Sequence, residues 1–400
     1  MDRPLVTIAK ALELVLTSTG RLPSELLAVT DALDRVLASD VSAASNVPPF
    51  PCSAMDGYAL ADGPANRVLR VVGESRAGTP SGTPVVDGEA IRISTGAAVP
   101  PGASAVIRQE DVELLDSGIR TLSATPAGEN IREAGEDMQA GTVVLQAGAT
   151  LGPAALGAAV AAGAGTVTVA KRPRVQVLCT GDELREPGEP LGPGEIHNSN
   201  APMLVALAQR CGALTSPARR LPDERPATEA ALEQAIEGAD VVIVSGGVSV
   251  GPHDHVKPAL AALGVQERFW RVALQPGKPT WFGAKDGKLV FGLPGNPVSA
   301  YVTFSLFARP ALAALQGATG ERQNVEHASL GVAVRRSPER EQALRVRLEH
   351  SNGTLVAVPN GPQGSHIISS LLGADALALI PRGEEPLAAG SVVALAALPR

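Results

Sequence analysis

The chain has 400 residues, 44% of them apolar, and a formal net charge of −7. That length is enough for several cores and predicts two to four domains. With only 2 Trp, 2 Tyr and 6 Phe on an acidic chain, stacking surface and positive charge are both too scarce for a nucleic-acid binder.

Leu5, Ile8, Leu12 and Val15 fall at helical spacing, so the chain opens with an amphipathic helix. Its first residues carry Asp2 and Glu13 and lack a basic flank before an apolar run, which reads against a signal peptide. Thr30 is a plausible N-cap for a second short helix, DALDRVL. The Pro-rich stop NVPPFP (46–51) breaks any helix and marks a boundary. From about 53 to 145, short apolar runs punctuated by glycine (RVLRVVGES, AIRISTG, SAVIRQEDVEL, TVVLQAG) read as a β-rich module.

PAALGAAVAAG (153–163) reads as a helix and TVTVA as the strand after it. The longest apolar stretch, 154–165, is too short and too rich in Gly and Ala to span a bilayer, so no membrane is expected. After KRP (171–173) strands alternate with helices of 10–13 residues: VQVLC, APMLVALAQRCG, ATEAALEQAIEG, DVVIVSGG, HVKPALAALG. That alternation predicts a doubly wound parallel α/β sheet, with ligands beyond the carboxyl ends of its strands. A helix is expected over 300–315, and residues 322–400 return to short alternating strands, a small terminal β domain that could close as a barrel. Cys52, Cys179 and Cys211 are odd in number and far apart, which suits a reducing, cytoplasmic setting.

Three strand ends carry candidate chemistry. SGGVSVGPHDHVK (245–257) admits a metal site on His253 and His255, a phosphate cradle, or a plain connection. The histidines lack the three or four N/S ligands that zinc requires. Ser245, Gly246, Gly247 and Ser249 instead let backbone N–H groups approach an anion. Asp254 there can hold Mg²⁺, which takes one or two carboxylates together with phosphates. TGDEL (180–184) repeats the logic with Thr180, Gly181, Asp182 and Glu183, although an Asp capping a short helix is by itself the more common explanation. GLPGNPVSA (292–300) offers Pro294, Gly295, Asn296 and Pro297 as a ligand loop or only as a rigid helix entry, and PGKP (276–279) presents Lys278 stiffly. SAMDGYA (53–59), with Asp56, and GENIREAGED (128–137), with Arg132, Glu136 and Asp137, read by themselves as solvated turns.

Taken together these motifs resemble the MoeA family, molybdopterin molybdenumtransferase, to which the E domain of gephyrin also belongs. The matching stretches are SAMDGYA, IRISTGAAVPPGASAVIRQE (91–110), NIREAGED (130–137), TGDEL, SGGVSVGPHDHVK, FWRVALQPGKP (269–279), GLPGNPVSA and QGSHIISSL (363–371), in family order across nearly the whole chain. The resemblance implies an elongated four-domain subunit: a linking domain at 1–45 plus 142–172, a β-rich module at 46–141, an α/β molybdopterin-binding domain at 173–318 and a C-terminal β-barrel-like domain at 319–400. It implies a homodimer with the site between the α/β domain of one subunit and the β module of the other. The implied reaction inserts molybdate into adenylyl-molybdopterin with release of AMP, and the implied cofactor is Mg²⁺.

Carried over by position, Asp56, Thr95, Arg132, Asp137, Glu183, Asp223, Asp254, Lys278, Pro294 and Pro297 match functional positions of the family, with Glu183 and Asp254 implied as metal ligands. Lys257 adds a supporting charge, Arg271 stands where relatives often have lysine, and Ser369 and Ser370 match near the end. Gln275 is a departure, because relatives often place a basic residue there; Arg340 and Arg345 resemble a basic pair with Ala343 where an aromatic is usual. A molybdopterin adenylyltransferase, with which transient contact is also expected, or a CinA-like nucleotide hydrolase would share the SGG loop. Neither accounts for SAMDGYA, NIREAGED or the terminal β domain. A non-catalytic scaffold is the remaining alternative.

Overall fold

A computed structural model of the chain describes residues 4–222, 224–248, 255–319, 326–351 and 353–398. Asp223, Ser249 and Asp254, singled out above, lie outside the described residues, as does His253.

The opening helix is Ile8–Thr17, capped by Thr7, whose hydroxyl accepts from Lys10 N at 3.2 Å. It buries Ile8, Ala11 and Val15 in the same core as Val175, Ile243 and Phe307. The apolar stripe read from the sequence therefore seats this helix on the α/β layer. Val6 extends that attachment, donating to Arg271 O at 3.0 Å and accepting from Ala273 N at 2.7 Å.

Ser24–Ala28 pairs antiparallel with Thr166–Ala170, and Val41–Ser42 with Val143–Leu145. Helix Pro153–Ala161 packs beside them over Leu37, Leu151, Val167 and Val169. The helix expected from Thr30 does not form. Val29–Asp31 makes one 3₁₀ turn, and Asp34 is left-handed (φ 60°), which ends helical winding. Val36 and Leu37 are then extended and bridge to Thr150 and Val169. The β-rich stretch forms a six-stranded sheet in the order Ala105–Arg108, Gly57–Leu60, Glu89–Ile93, Val68–Ser75, Gly118–Thr121, Val112–Leu115. Alternate residues of Gly57–Leu60 feed two small cores, Tyr58 and Leu60 on one face and Ala59 on the other.

Arg174–Cys179, Val241–Ser245 and Lys288–Leu293 lie side by side and parallel at the centre of a seven-stranded sheet. Its other edge is antiparallel, with Trp281–Lys285 and Gln266–Trp270, so the sheet is mixed where a wholly parallel one was expected. The cause is local. Asp286 and Gly287 are both left-handed (φ 48° and 79°), the two-residue turn that folds adjacent strands into a hairpin without a crossover. The helix predicted for 300–315 begins earlier, at Pro297, and runs to Leu315 through a π turn at Phe304–Ala308. It is long and apolar enough to cross a membrane, but 72% of its most apolar window is buried within the protein, in the core behind the sheet.

Near the C-terminus Glu341–Ser351, Thr354–Pro359, His327–Leu330, Val392–Ala397 and Ala376–Ile380 pair in that order, and the last returns to the first, closing a five-stranded barrel. Leu274–Gln275 runs parallel to Glu341–Gln342 and joins the barrel to the α/β region. Gln275, the residue that replaces a basic one, thus has its backbone engaged in this junction.

Candidate functional site

The carboxyl ends of the three central strands are stitched into a row: Thr180 N donates to Ser245 O, and Gly246 N to Leu293 O, each at 3.0 Å. Gly246 and Gly247 are both left-handed (φ 88° and 64°). A Cβ on Gly246 would stand 2.9 Å from Thr180 Oγ1, and one on Gly247 2.7 Å from Val256 Cγ2. Glycine is required at both places by conformation and by space.

A cavity of about 430 Å³ opens over this row. Its wall contains Thr180, Glu183, Ser245, Pro294, Gly295, Asn296 and Pro297, seven positions that the sequence singled out. It also contains Pro279, beside the exposed Lys278. Asn200, at the start of the Asn200–Arg210 helix, is a residue that the sequence reading missed. Its Nδ2 donates to Ser245 Oγ at 2.8 Å and to Gly295 O at 2.7 Å, tying two of the three loops together. Because Gly295 O can only accept, the amide orientation is fixed. Its only advance signal was the asparagine-rich turn HNSN (197–200) before a helix.

Cys179 also lines the cavity, but burial pushes its thiol up to about 11, against a hydrogen bond from Asn198. At neutral pH it is protonated and no nucleophile. Among the described residues, no group of three or more His, Cys, Asp or Glu side chains is gathered to hold a metal.

Two cations expected to meet substrate share one aromatic ring. Lys257 Nζ lies 3.7 Å and the Arg271 guanidinium 4.4 Å from the ring centroid of Trp270. The barrel loop 360–372 meets the turn at Asn296. Ser365 accepts from Asn296 Nδ2 at 3.1 Å, and its carbonyl takes Val298 N at 3.2 Å. Arg345 builds that loop from beneath. It is fully buried and donates to Pro362 O, Gly364 O and Ser370 Oγ, and burial lowers its pKa to about 10. Ser369 is exposed on the adjoining 3₁₀ turn, whereas Ser370 is buried by its bond to Arg345.

Asp56, Thr95, Arg132 and Asp137 do not line this cavity. Asp56 accepts from Thr95 N at 2.7 Å and from Thr95 Oγ1 at 3.2 Å, an exposed pair in the β-rich module. Arg132 is brought to the same turn, since Ile131–Arg132 pairs with Cys52–Ser53 and Ala54 N donates to Asn130 O. Asp137 stands in a separate shallow groove, with Asp137 N bonded to Val47 O. Among the described residues, the predicted ones therefore include one group at the strand ends and one on the β-rich module, with Ser369 apart on the barrel.

Comparison with known proteins bears on both groups. Residues 6–163 match the MoeA N-terminal region (domain I and II), residues 176–314 a "Probable molybdopterin binding domain", and residues 327–398 the MoeA C-terminal region (domain IV). The chain is 36% identical over 377 residues to a molybdopterin molybdenumtransferase of Haemophilus influenzae, covering 93% of each. It is 38% identical to molybdopterin molybdenumtransferase 2 of Mycobacterium tuberculosis, over 91% of this chain and 92% of that one. Among solved structures, a molybdopterin biosynthesis MoeA protein of Pyrococcus horikoshii OT3 superposes with a TM-score of 0.82 at 31% identity, covering 98% of this chain and 99% of that one.

Proposed function

The chain belongs to the MoeA family and serves molybdenum cofactor biosynthesis, and from that premise we propose that it is the molybdenumtransferase that inserts molybdate into adenylylated molybdopterin and releases AMP. The observation that carries this reading is the cavity at the three strand ends, where hydroxyls, side-chain amides and prolines line a space of about 430 Å³ and the left-handed Gly246 and Gly247 follow directly on Ser245 of its wall. Thr180 and Ser245 bring hydroxyls to the cavity wall, where they would bond phosphate oxygens. Lys278, Lys257 and Arg271 supply local positive charge on an acidic chain, which raises the encounter rate for a dianion such as molybdate.

Magnesium fits this donor set. Glu183 is an oxygen donor on the cavity wall, and Mg²⁺ takes one or two carboxylates with ligand phosphates and water, so Glu183 with Asp254 of the next loop would be the protein's share. A bound ion would stabilise negative charge on the departing phosphate.

The second group of residues argues for a homodimer. Asp56 and Thr95 are exposed and hydrogen-bonded to each other, and together with Arg132 and Asp137 they would complete the cavity of a second copy. The substrate would come from an adenylyltransferase, through transient contact in the cytoplasm. The test mixes two variants, Asp56→Ala and Glu183→Ala, each inactive by itself. Random pairing makes about half the dimers mixed, each with one intact site, so about a quarter of native AMP release should return. No recovery in a mixture shown to exchange subunits refutes the shared site.

A further inference from the structure

Only two tryptophans occur in the chain. Trp281 is buried and donates Nε1 to Glu267 at 2.8 Å. Trp270 is different: it ends the strand Gln266–Trp270 and is only partly buried. Its Nε1 donates to Val248 O at 3.1 Å, three residues beyond Ser245 in the cavity wall.

Two cations from separate segments stand over this indole. Lys257 reaches it from the helix Val256–Ala262. Arg271 is the next residue along, and consecutive side chains of an extended strand point to opposite faces. It reaches the ring because its backbone is left-handed (φ 69°) and clamped. Arg271 N donates to Thr280 O at 3.1 Å, and Arg271 O accepts from Val6 N at 3.0 Å. The clamp turns the guanidinium back onto the preceding side chain, and Thr280, which holds Arg271 N, directly follows Pro279 of the cavity wall. Two like charges drawn to one site repel each other, and the negative face of the ring offsets that repulsion.

We propose that Trp270 is a positioning residue: its ring gathers Lys257 and Arg271 into a two-cation receptor for a tetrahedral oxyanion, whether a ligand phosphate or molybdate. This rests on the reading that those cations meet the anionic groups of the substrate. It adds that their placement depends on the indole and that an incoming anion shifts them on the ring.

The experiment uses the full chain carrying Trp281→Phe, so that Trp270 is the sole indole, titrated with sodium molybdate in one arm and AMP in the other. A saturable change in Trp270 emission is expected. A response to molybdate alone assigns the receptor to the metal oxyanion, and a response to AMP alone assigns it to phosphate. Calorimetry on Trp270→Leu should show affinity for the responding anion about tenfold weaker, the size of two modest cation–π contacts. Trp270→Phe, which keeps a ring, should recover most of it. Native affinity in Trp270→Leu, or no recovery in Trp270→Phe, overturns the positioning role. The variants Lys257→Gln and Arg271→Gln separate the two levels. If they weaken binding while Trp270→Leu does not, only the indole's role fails; if they too bind normally, the assignment of these cations to substrate fails.

Discussion

Asn200 gives the sharpest quantitative test of how the site is held. Replacing it with alanine removes two hydrogen bonds, of 2.8 and 2.7 Å, leaving the buried Ser245 Oγ with only its 3.5 Å contact to Pro294 O and the exposed Gly295 O to solvent. Each lost bond is worth about 1 kcal/mol net, so Asn200→Ala should cost the α/β region about 2 kcal/mol. Asn200→Asp should cost more at neutral pH, because a carboxylate oxygen would then face Gly295 O where an N–H now donates. Burial beside an acceptor raises the folded-state pKa of that aspartate above its unfolded value of about 3.9. Its deficit should therefore be smallest below the unfolded pKa and grow as pH rises through the folded one, where the protonated carboxyl stops donating. The assay is urea unfolding followed by tryptophan emission, since Trp270 and Trp281 both sit in the sheet concerned. An Asn200→Ala protein within about 0.5 kcal/mol of the parent, or an Asn200→Asp protein as stable as the parent at neutral pH, would refute the reasoning.

Two further outcomes follow from the same wall. Gly247→Ala forces a left-handed alanine (φ 64°) into contact with Val256 and Thr180, at a cost of about 1–3 kcal/mol. AMP binding should weaken with it, whereas Gly295→Ala, whose Cβ would meet nothing nearer than 3.9 Å, should leave stability unchanged; equal thermal shifts for the two variants would contradict this. Cys179, with its thiol pushed up to about 11 from 9.0, should resist iodoacetamide at pH 8, while the partly exposed Cys211 reacts first. Mass spectrometry reads the order. Because folding raises this pKa, the associated stability is intact below pH 9 and is lost as pH rises from 9 through 11.

Much of the site was legible because glycine, proline and short polar residues at a strand end have few other uses. Thr180, Glu183, Ser245 and the 294–297 turn are each singled out in a strand-end loop, and the folded chain lines one cavity with them. What could not be read depends on long-range geometry. Asn200 looks like any residue entering a helix until its amide is seen bridging two loops 45 and 95 residues away. Arg345 is matched only as half of a basic pair with Arg340, and the closed barrel shows that it is buried under the 360–372 loop. The helix expected at Thr30 failed because tertiary pairing of Val36 and Leu37 outweighed a local cap signal. The Asp286-Gly287 dipeptide, conversely, carried the hairpin signal that makes the sheet mixed, and the alternation of strands and helices around it masked that signal.

The central claim is tested most directly by giving the purified protein adenylylated molybdopterin and molybdate and following AMP and molybdenum cofactor together by mass spectrometry. Equal amounts of AMP and of metal-loaded cofactor, both dependent on molybdate, are the predicted result. AMP released without metal insertion, or adenylylation of molybdopterin from ATP instead, would contradict it.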